Sequence, residues 1–181
     1  MSRNYKFHDP KGMYFVTYSV INWIDIFIRN EYRDVMLDSW KHCIDKKGLE
    51  IFGWCIMTSH VHMIIASNKD LLENIMRDMK RHTSTTLRHA IENSFESRKT
   101  WIMEIMMAHG TLNKHNKDFQ FWQQHNHPIL LDTNHIMQQK LDYIHMNPVE
   151  AGFVDEPEHY LYSSARDYSG KKGLIDISFI E

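Results

Sequence analysis

The spacing of apolar and polar positions changes several times along the chain, and each change predicts an element. Residues 13–21 (MYFVTYSVI) are β-branched and aromatic and predict a strand. From Asn30 to about Lys47, the residues Tyr32, Val35, Met36, Trp40, Cys43 and Ile44 recur on one helical stripe, and Gly48 stands where a left-handed cap is wanted. Leu49 to Met57 and Val61 to Ala66 read as two more strands joined by the short Thr58-Ser59 connection. Asp70-Leu-Leu-Glu73 has the form of a capping box. It opens a helix to about Ile91, with Leu72, Ile75, Met76, Met79 and Ala90 facing inward. Trp101 to Ala108 is apolar and Met-rich, either a short helix or a buried connector. Part of Phe119 to Leu131 supplies a fourth strand. Asp132 or Thr133 then caps a last helix, which Pro148 stops at Asn147. The tail from Val149 is loop-rich.

Strand, helix, strand, strand, helix, strand, helix is the split βαβ, or ferredoxin-like, pattern with a C-terminal helix added. The expected fold class is α+β: an antiparallel four-stranded sheet with helices on one face plus the C-terminal helix. A length of 181 residues predicts one domain over 1–181, with a core at about 12–148 and a tail at 149–181. Hydrophobic residues at 43% and charged residues at 24% argue against disorder, collagen and coiled coil. No apolar run reaches the roughly 18 residues of a membrane span. The polar start, MSRNYKFHDPKG, carries no apolar signal region, so no membrane and a cytoplasmic location are expected. Two cysteines, Cys43 and Cys55, make no disulfide framework and suit a reducing compartment. Lys+Arg 21 against Asp+Glu 23 gives a net charge of −2, which excludes a uniformly basic nucleic-acid coat. Any anion site must come from local clustering.

Among the 13 histidines, His60-Val61-His62 at the start of a strand is the sharpest signal. Residues i and i+2 of a strand share a face, so two imidazoles can meet one divalent cation while Val61 points to the core. Standing alone, the pair also reads as two exposed histidines at a strand edge. It leaves a metal short of ligands, and a third group is sought in Tyr143-Ile-His-Met-Asn147 of the last helix. Met137, Leu141 and Ile144 form that helix's buried stripe, and Lys140, Tyr143 and Asn147 share another face. Asn147 offers a carbonyl oxygen suited to Mg²⁺ or Mn²⁺. Tyr143 offers a phenol, and Lys140 or a metal beside it would favour attack on a phosphate. Each also has a plain structural reading: Tyr143 as a packed ring with a wet hydroxyl, Asn147 as a helix stop.

Met57-Thr-Ser-His-Val-His-Met-Ile-Ile65 resembles the HUH motif (His, bulky hydrophobic, His) of single-strand DNA transposases and relaxases. Three further stretches resemble the REP-associated tyrosine transposase branch of the single-tyrosine HUH transposase family. They are Phe121-Trp-Gln-Gln, Leu141-Asp-Tyr-Ile-His-Met-Asn-Pro-Val-Glu-Ala-Gly-Phe-Val154 and Tyr162-Ser-Ser-Ala-Arg166. The resemblance spans roughly Tyr14 to Tyr168. It implies that His60, His62 and Asn147 hold a divalent metal, Mg²⁺ or Mn²⁺. It also implies that Tyr143, on a catalytic C-terminal helix, is the nucleophile. The implied enzyme nicks and rejoins single-stranded or hairpin DNA through a 5′-phosphotyrosine. Both single-subunit and helix-exchanged homodimer arrangements occur in the wider family, so Tyr143 serves either its own His pair or a partner's. Two departures stand out: Thr58-Ser59 replaces the usual Pro-containing pair before the first His, and Glu150 stands where the family often has Arg.

Phosphate handling needs cations. Arg77, Arg81, Ser84 and Arg88 form a ridge on the second helix, with Lys80 and His82 beside them, and Arg77 to Lys99 carries a local excess of cations. The expectation is a solvent-facing track for the DNA backbone, with Arg77, Lys80, Arg81, Arg88, Lys140 and Arg166 as DNA-binding residues. In the resembling family the tail helps read a short sequence beside the hairpin, which points here to Tyr160, Tyr162, Ser163, Ser164 and Arg166. Phe119, Phe121 and Trp122 are either base-stacking or core, and Met103, Met106 and Met107 are core filler or a partner surface. Two other functions compete: an idle, domesticated DNA-binding protein of the same fold, and a zinc hydrolase, which the absence of an HExxH helix disfavours.

Overall fold

A computed structural model describes residues 7–113, 118–124 and 126–180. The polar start up to Lys6 and residues 114–117 of the connector lie outside the described residues. Four strands, β1 (Tyr14–Ser19), β2 (Leu49–Ile56), β3 (His60–Ser67) and β4 (Ile129–Leu130), form one sheet in the order β2-β3-β1-β4. Every pairing is antiparallel, as the split βαβ pattern requires. The helices are α1 (Asn30–Lys47), α2 (Leu72–Asn93), α3 (Lys99–Leu112), α4 (Asn134–Glu150) and the short α5 (Ala165–Tyr168). The expected α+β, ferredoxin-like architecture is therefore present. No helix among the described residues is long and apolar enough to cross a membrane.

β3 carries the logic of the layers. It is apolar on both faces because both faces are covered: Val61, Met63, Ile64 and Ile65 are all fully buried. Met63 pairs with Trp54 on β2, whose ring meets Trp40 of α1 edge-on at 5.4 Å, so α1 and its neighbour α2 cover that side. The alternate residues His60, His62 and Ile64 face the other side, and α4 lies there. A Cβ at Gly53 on β2 would come within 2.7 Å of Leu141 Cδ1 and 3.7 Å of Ile144 and Ile64. Glycine at this β-bulge position lets α4 approach the sheet and seat Leu141 and Ile144. Each such buried aliphatic side chain is worth about 1.5–3 kcal/mol.

Gly48 caps α1 in the left-handed conformation (φ 70°, ψ 28°), and Thr133 Oγ1 caps α4 by accepting from Ile136 N–H at 3.3 Å. Three local expectations change. The capping box at Asp70 does not form, because Asp70 N–H is bonded to Lys47 O at the end of α1, and α2 starts only at Leu72 with no side-chain cap. Pro148 does not stop α4. It forgoes only its own donor, while Ala151 N–H still reaches Asn147 O at 3.0 Å and the helix runs to Glu150. The fourth strand shrinks to two residues. Upstream of it the chain shadows β1 through a Val20–Trp122 bridge and a bond from Thr17 N–H to Asn126 O, while Phe121 and Trp122 turn into the core. The ambiguous Met-rich stretch is helical, as α3.

The tail covers the free edge of β2. Ile56 N–H bonds Tyr162 O, Ser164 N–H bonds Trp54 O, and Ser163 bridges Cys55. Tyr160, Tyr162, Ser163 and Ser164 are thereby buried, with the Tyr160 hydroxyl on Ile56 O. Burial against the strand takes these four out of the proposed sequence-reading cluster.

Candidate active site

The β1–β3 register places Thr17 opposite His62 and Ser19 opposite His60. His62 is 3% exposed, beneath α4. Its Nδ1 lies 2.7 Å from Thr17 Oγ1, and Nε2, the other ring nitrogen, is buried without a hydrogen-bond partner. Ser59 Oγ sits 3.2 Å from Nδ1 of His60. Both imidazoles thus have a hydroxyl at Nδ1, which orients each ring and leaves Nε2 as the nitrogen turned away from that contact. The Thr58-Ser59 turn before the pair is itself clasped: Val20 N–H bonds Ser59 O at 2.9 Å and Phe27 N–H bonds Thr58 O at 2.8 Å.

The rings form a row. His60 and His62 are 4.8 Å apart between centroids, and Tyr143 of α4 meets His62 edge-on at 5.1 Å. Phe15 stacks on His62 at 5.7 Å and meets Tyr143 at 6.0 Å. Tyr143 and both histidines belong to the same chain, and Tyr143 remains 42% exposed, open to a large substrate. Lys140 lies one turn before Tyr143, with Nζ 5.0 Å above the Phe15 ring and 5.8 Å from the Tyr143 ring. Asn147 stands one turn after Tyr143 on the same face of α4, half-buried.

Burial lowers the pKa of both histidines. For His62 the value falls to about 3, through burial first and then the positive charges of His60 and Lys140. His60 is lowered by burial. Both rings are therefore neutral at pH 7, the form that binds a metal. Among the described residues no group of three His, Cys, Asp or Glu side chains could hold a metal ion.

The basic ridge stands elsewhere. α2 packs with α1 on the opposite face of the sheet from His60 and His62. Arg77 and Arg81 are exposed but share Asp78, and Arg88 is tied to Glu92 at 2.9 Å. Lys80 does not face solvent on this ridge. Its ammonium turns in to donate to Gln123 O and Asn126 Oδ1, both at 2.8 Å, and desolvation lowers its pKa to about 7. Lys80 holds the segment beside β1 instead of a phosphate. Arg166 lies half-buried in α5 on the tail, with Nε lacking a hydrogen-bond partner. Of the cations expected to bind DNA, Lys140 alone is seen against the His–Tyr row.

The sequence model described as "Transposase IS200 like" matches residues 17–110, more than half of the chain. The chain belongs to the IS200-like transposase family. Membership supports DNA transposition as its activity class. The solved structure titled "Structure of the REP associates tyrosine transposase bound to a REP hairpin" shares the fold. It has a TM-score of 0.66 and 19% identity, and the match covers 100% of this chain and 96% of that one. A second, described as a putative transposase from Deinococcus radiodurans, has a TM-score of 0.44 and 14% identity over 80% of this chain and 95% of that one. No curated protein matches the chain.

The sequence singled out His60, His62, Tyr143 and Lys140, which the fold brings together, and did not single out Thr17, Ser59 or Phe15, which pack against them. Thr17 lies among aromatic and β-branched residues of β1, and its partner depends on the β1–β3 register, which no local pattern specifies.

Proposed function

We propose that the chain is a metal-dependent transposase that nicks and rejoins single-stranded DNA, presented beside a hairpin, with Tyr143 as nucleophile. The observation that carries this reading is the placement of the Tyr143 ring against His62, whose buried Nε2 has no hydrogen-bond partner among the described residues. A divalent cation fits that orphaned nitrogen. His60, His62 and Asn147 would hold Mg²⁺ or Mn²⁺, and the chemistry supplied is Lewis-acid polarisation of a phosphate oxygen.

The chain's own residues do the rest. Thr17 and Ser59 hold the ring orientations. Helix α4 brings the phenol to the row, and Lys140 places a cation beside it. The Tyr143 phenol oxygen attacks phosphorus in line: a phenol O–P bond forms, the bond from phosphorus to the 3′ oxygen breaks, and the phenol's proton is balanced by the one the 3′ oxygen gains. The product is a 5′-phosphotyrosine and a free 3′-hydroxyl. Attack by another 3′-hydroxyl reverses the step, and rejoining needs no ATP because the phosphodiester energy is conserved. The substrate's hairpin is suggested by the REP hairpin bound in the similar structure.

Incubating the protein with Mn²⁺ and a hairpin oligonucleotide should yield a covalent adduct that survives denaturation. Tyr143→Phe should abolish the adduct and preserve DNA binding. An adduct formed by Tyr143→Phe would overturn the nucleophile assignment. Hairpin binding without any adduct by the wild type would favour the idle, domesticated protein.

A further inference from the structure

The row of rings has a fourth member that the mechanism does not use. Between β1 and α1, Asn22 (φ 51°) and Trp23 (φ 55°) are consecutive non-glycine residues in the left-handed region. A bulky aromatic residue there is a conformational outlier that its surroundings must enforce. They do so by burying its neighbours: Val20, Ile21, Ile24, Ile26 and Phe27 all enter the core. Trp23 N–H bonds Val20 O at 3.0 Å and Ile24 N–H bonds Ile21 O at 3.2 Å, closing a tight turn. The turn leaves the Trp23 side chain 56% exposed and sets its indole in a T-shaped contact with His60, at 5.1 Å and 68°. Trp23 therefore ends the row on the His60 side, as Tyr143 ends it on the His62 side. An indole left in water forgoes the burial its large ring would gain, and strained backbone gathers at functional sites.

We propose that Trp23 is the stacking platform for the base on the leaving, 3′-hydroxyl side of the scissile phosphate. The proposal rests on the proposed function above. In an in-line displacement the leaving oxygen lies opposite the attacking phenol oxygen. With phosphorus over the His pair, the leaving nucleotide extends away from Tyr143, toward His60 and Trp23. Its unpaired base meets the exposed indole there. Every base has a π-face, so the contact positions the strand and tolerates sequence. It also retains the 3′-hydroxyl strand between nicking and rejoining.

The test uses the full-length protein and a hairpin oligonucleotide whose nick site has been mapped with the wild type in Mn²⁺. With 2-aminopurine as the leaving-side nucleotide and no added metal, wild-type protein should quench its fluorescence and Trp23→Ala should not. Moving the probe to the other side of the scissile phosphate should abolish that difference. Affinity for the intact oligonucleotide should fall roughly tenfold in Trp23→Ala. An abasic leaving-side nucleotide should weaken the wild type by a similar factor and Trp23→Ala no further, and Trp23→Phe should restore most of the affinity. The melting temperature should not fall, because the side chain is exposed and its backbone strained. Equal quenching by wild type and Trp23→Ala would overturn the proposal. So would penalties that multiply instead of overlapping, or an effect of Trp23→Ala confined to breaking up a dimer. Wild-type nicking with no dependence on Trp23 refutes this inference alone. No Tyr143 adduct on any hairpin refutes the proposed function and this inference with it.

Discussion

Replacing Thr17 by Val keeps the side chain's shape and removes the hydroxyl 2.7 Å from His62 Nδ1. His62 is buried, so its Nδ1 loses a partner that water cannot replace. An unmade buried hydrogen bond costs about 1–3 kcal/mol. At about 2–4 °C per kcal/mol for a chain of this size, the melting temperature should fall by about 2–12 °C. The larger effect is on the site. Without Thr17 the ring is free to turn or to carry its proton on Nε2, the nitrogen a metal needs. Removing a partner that orients a ligand typically costs about 10–100-fold in metal affinity. Calorimetric titration with Mn²⁺ should show this loss, and nicking should recover as Mn²⁺ is raised. Ser59→Ala should act in the same direction and less strongly, because its contact to His60 is longer, at 3.2 Å. Mn²⁺ affinity within twofold of wild type in Thr17→Val would refute the argument that this hydroxyl presents Nε2 to the site.

Stability should depend on pH through His145, which is held by Ser164 Oγ at 2.9 Å; burial, partly opposed by Asp142, lowers its pKa to about 4. The unfolded chain takes up that proton near pH 6.5, so this contribution is complete above pH 6.5 and is lost as pH falls toward 4. The loss is at most about 3 kcal/mol; urea unfolding at pH 7 and 4.5 should show a smaller drop in His145→Asn than in the wild type, and equal drops would dismiss the assignment. For DNA, Lys140→Ala should reduce the salt dependence of binding to a short strand by roughly one phosphate, a slope change of about 0.7. Arg77→Ala combined with Arg81→Ala should leave that slope unchanged because α2 lies across the sheet, and the reverse pattern would restore the α2 ridge as the track. Lys80→Ala should lower the melting temperature, since the residue ties down Gln123 and Asn126; unaltered melting would contradict that role. Gly53→Val should push Leu141 and α4 off the sheet at a cost of about 1–3 kcal/mol and reduce nicking, measured by thermal melting beside the adduct assay.

Local pattern alone determined much of this protein. Runs of β-branched and aromatic residues placed β1, β2 and β3, period-3.6 spacing placed α1 and the last helix, and the order of elements implied the sheet. His60-Val61-His62 and Tyr143 to Asn147 were legible because a strand puts i and i+2 on one face and a helix does so for i and i+4. Those rules hold within one element. The Arg77–Arg88 ridge was equally legible as a helix face, yet its bearing on function was not. Whether a helix lies above or below a sheet is decided by which apolar faces bury against each other, and that placed α2 away from the His pair. Only the tertiary structure paired Thr17 with His62, turned Lys80 inward and laid the tail on β2. It alone left Trp23 outside while Ile21 and Ile24 entered the core. Each of these depends on side chains far apart in the chain competing for the same buried space, and no spacing along the sequence records the outcome of that competition.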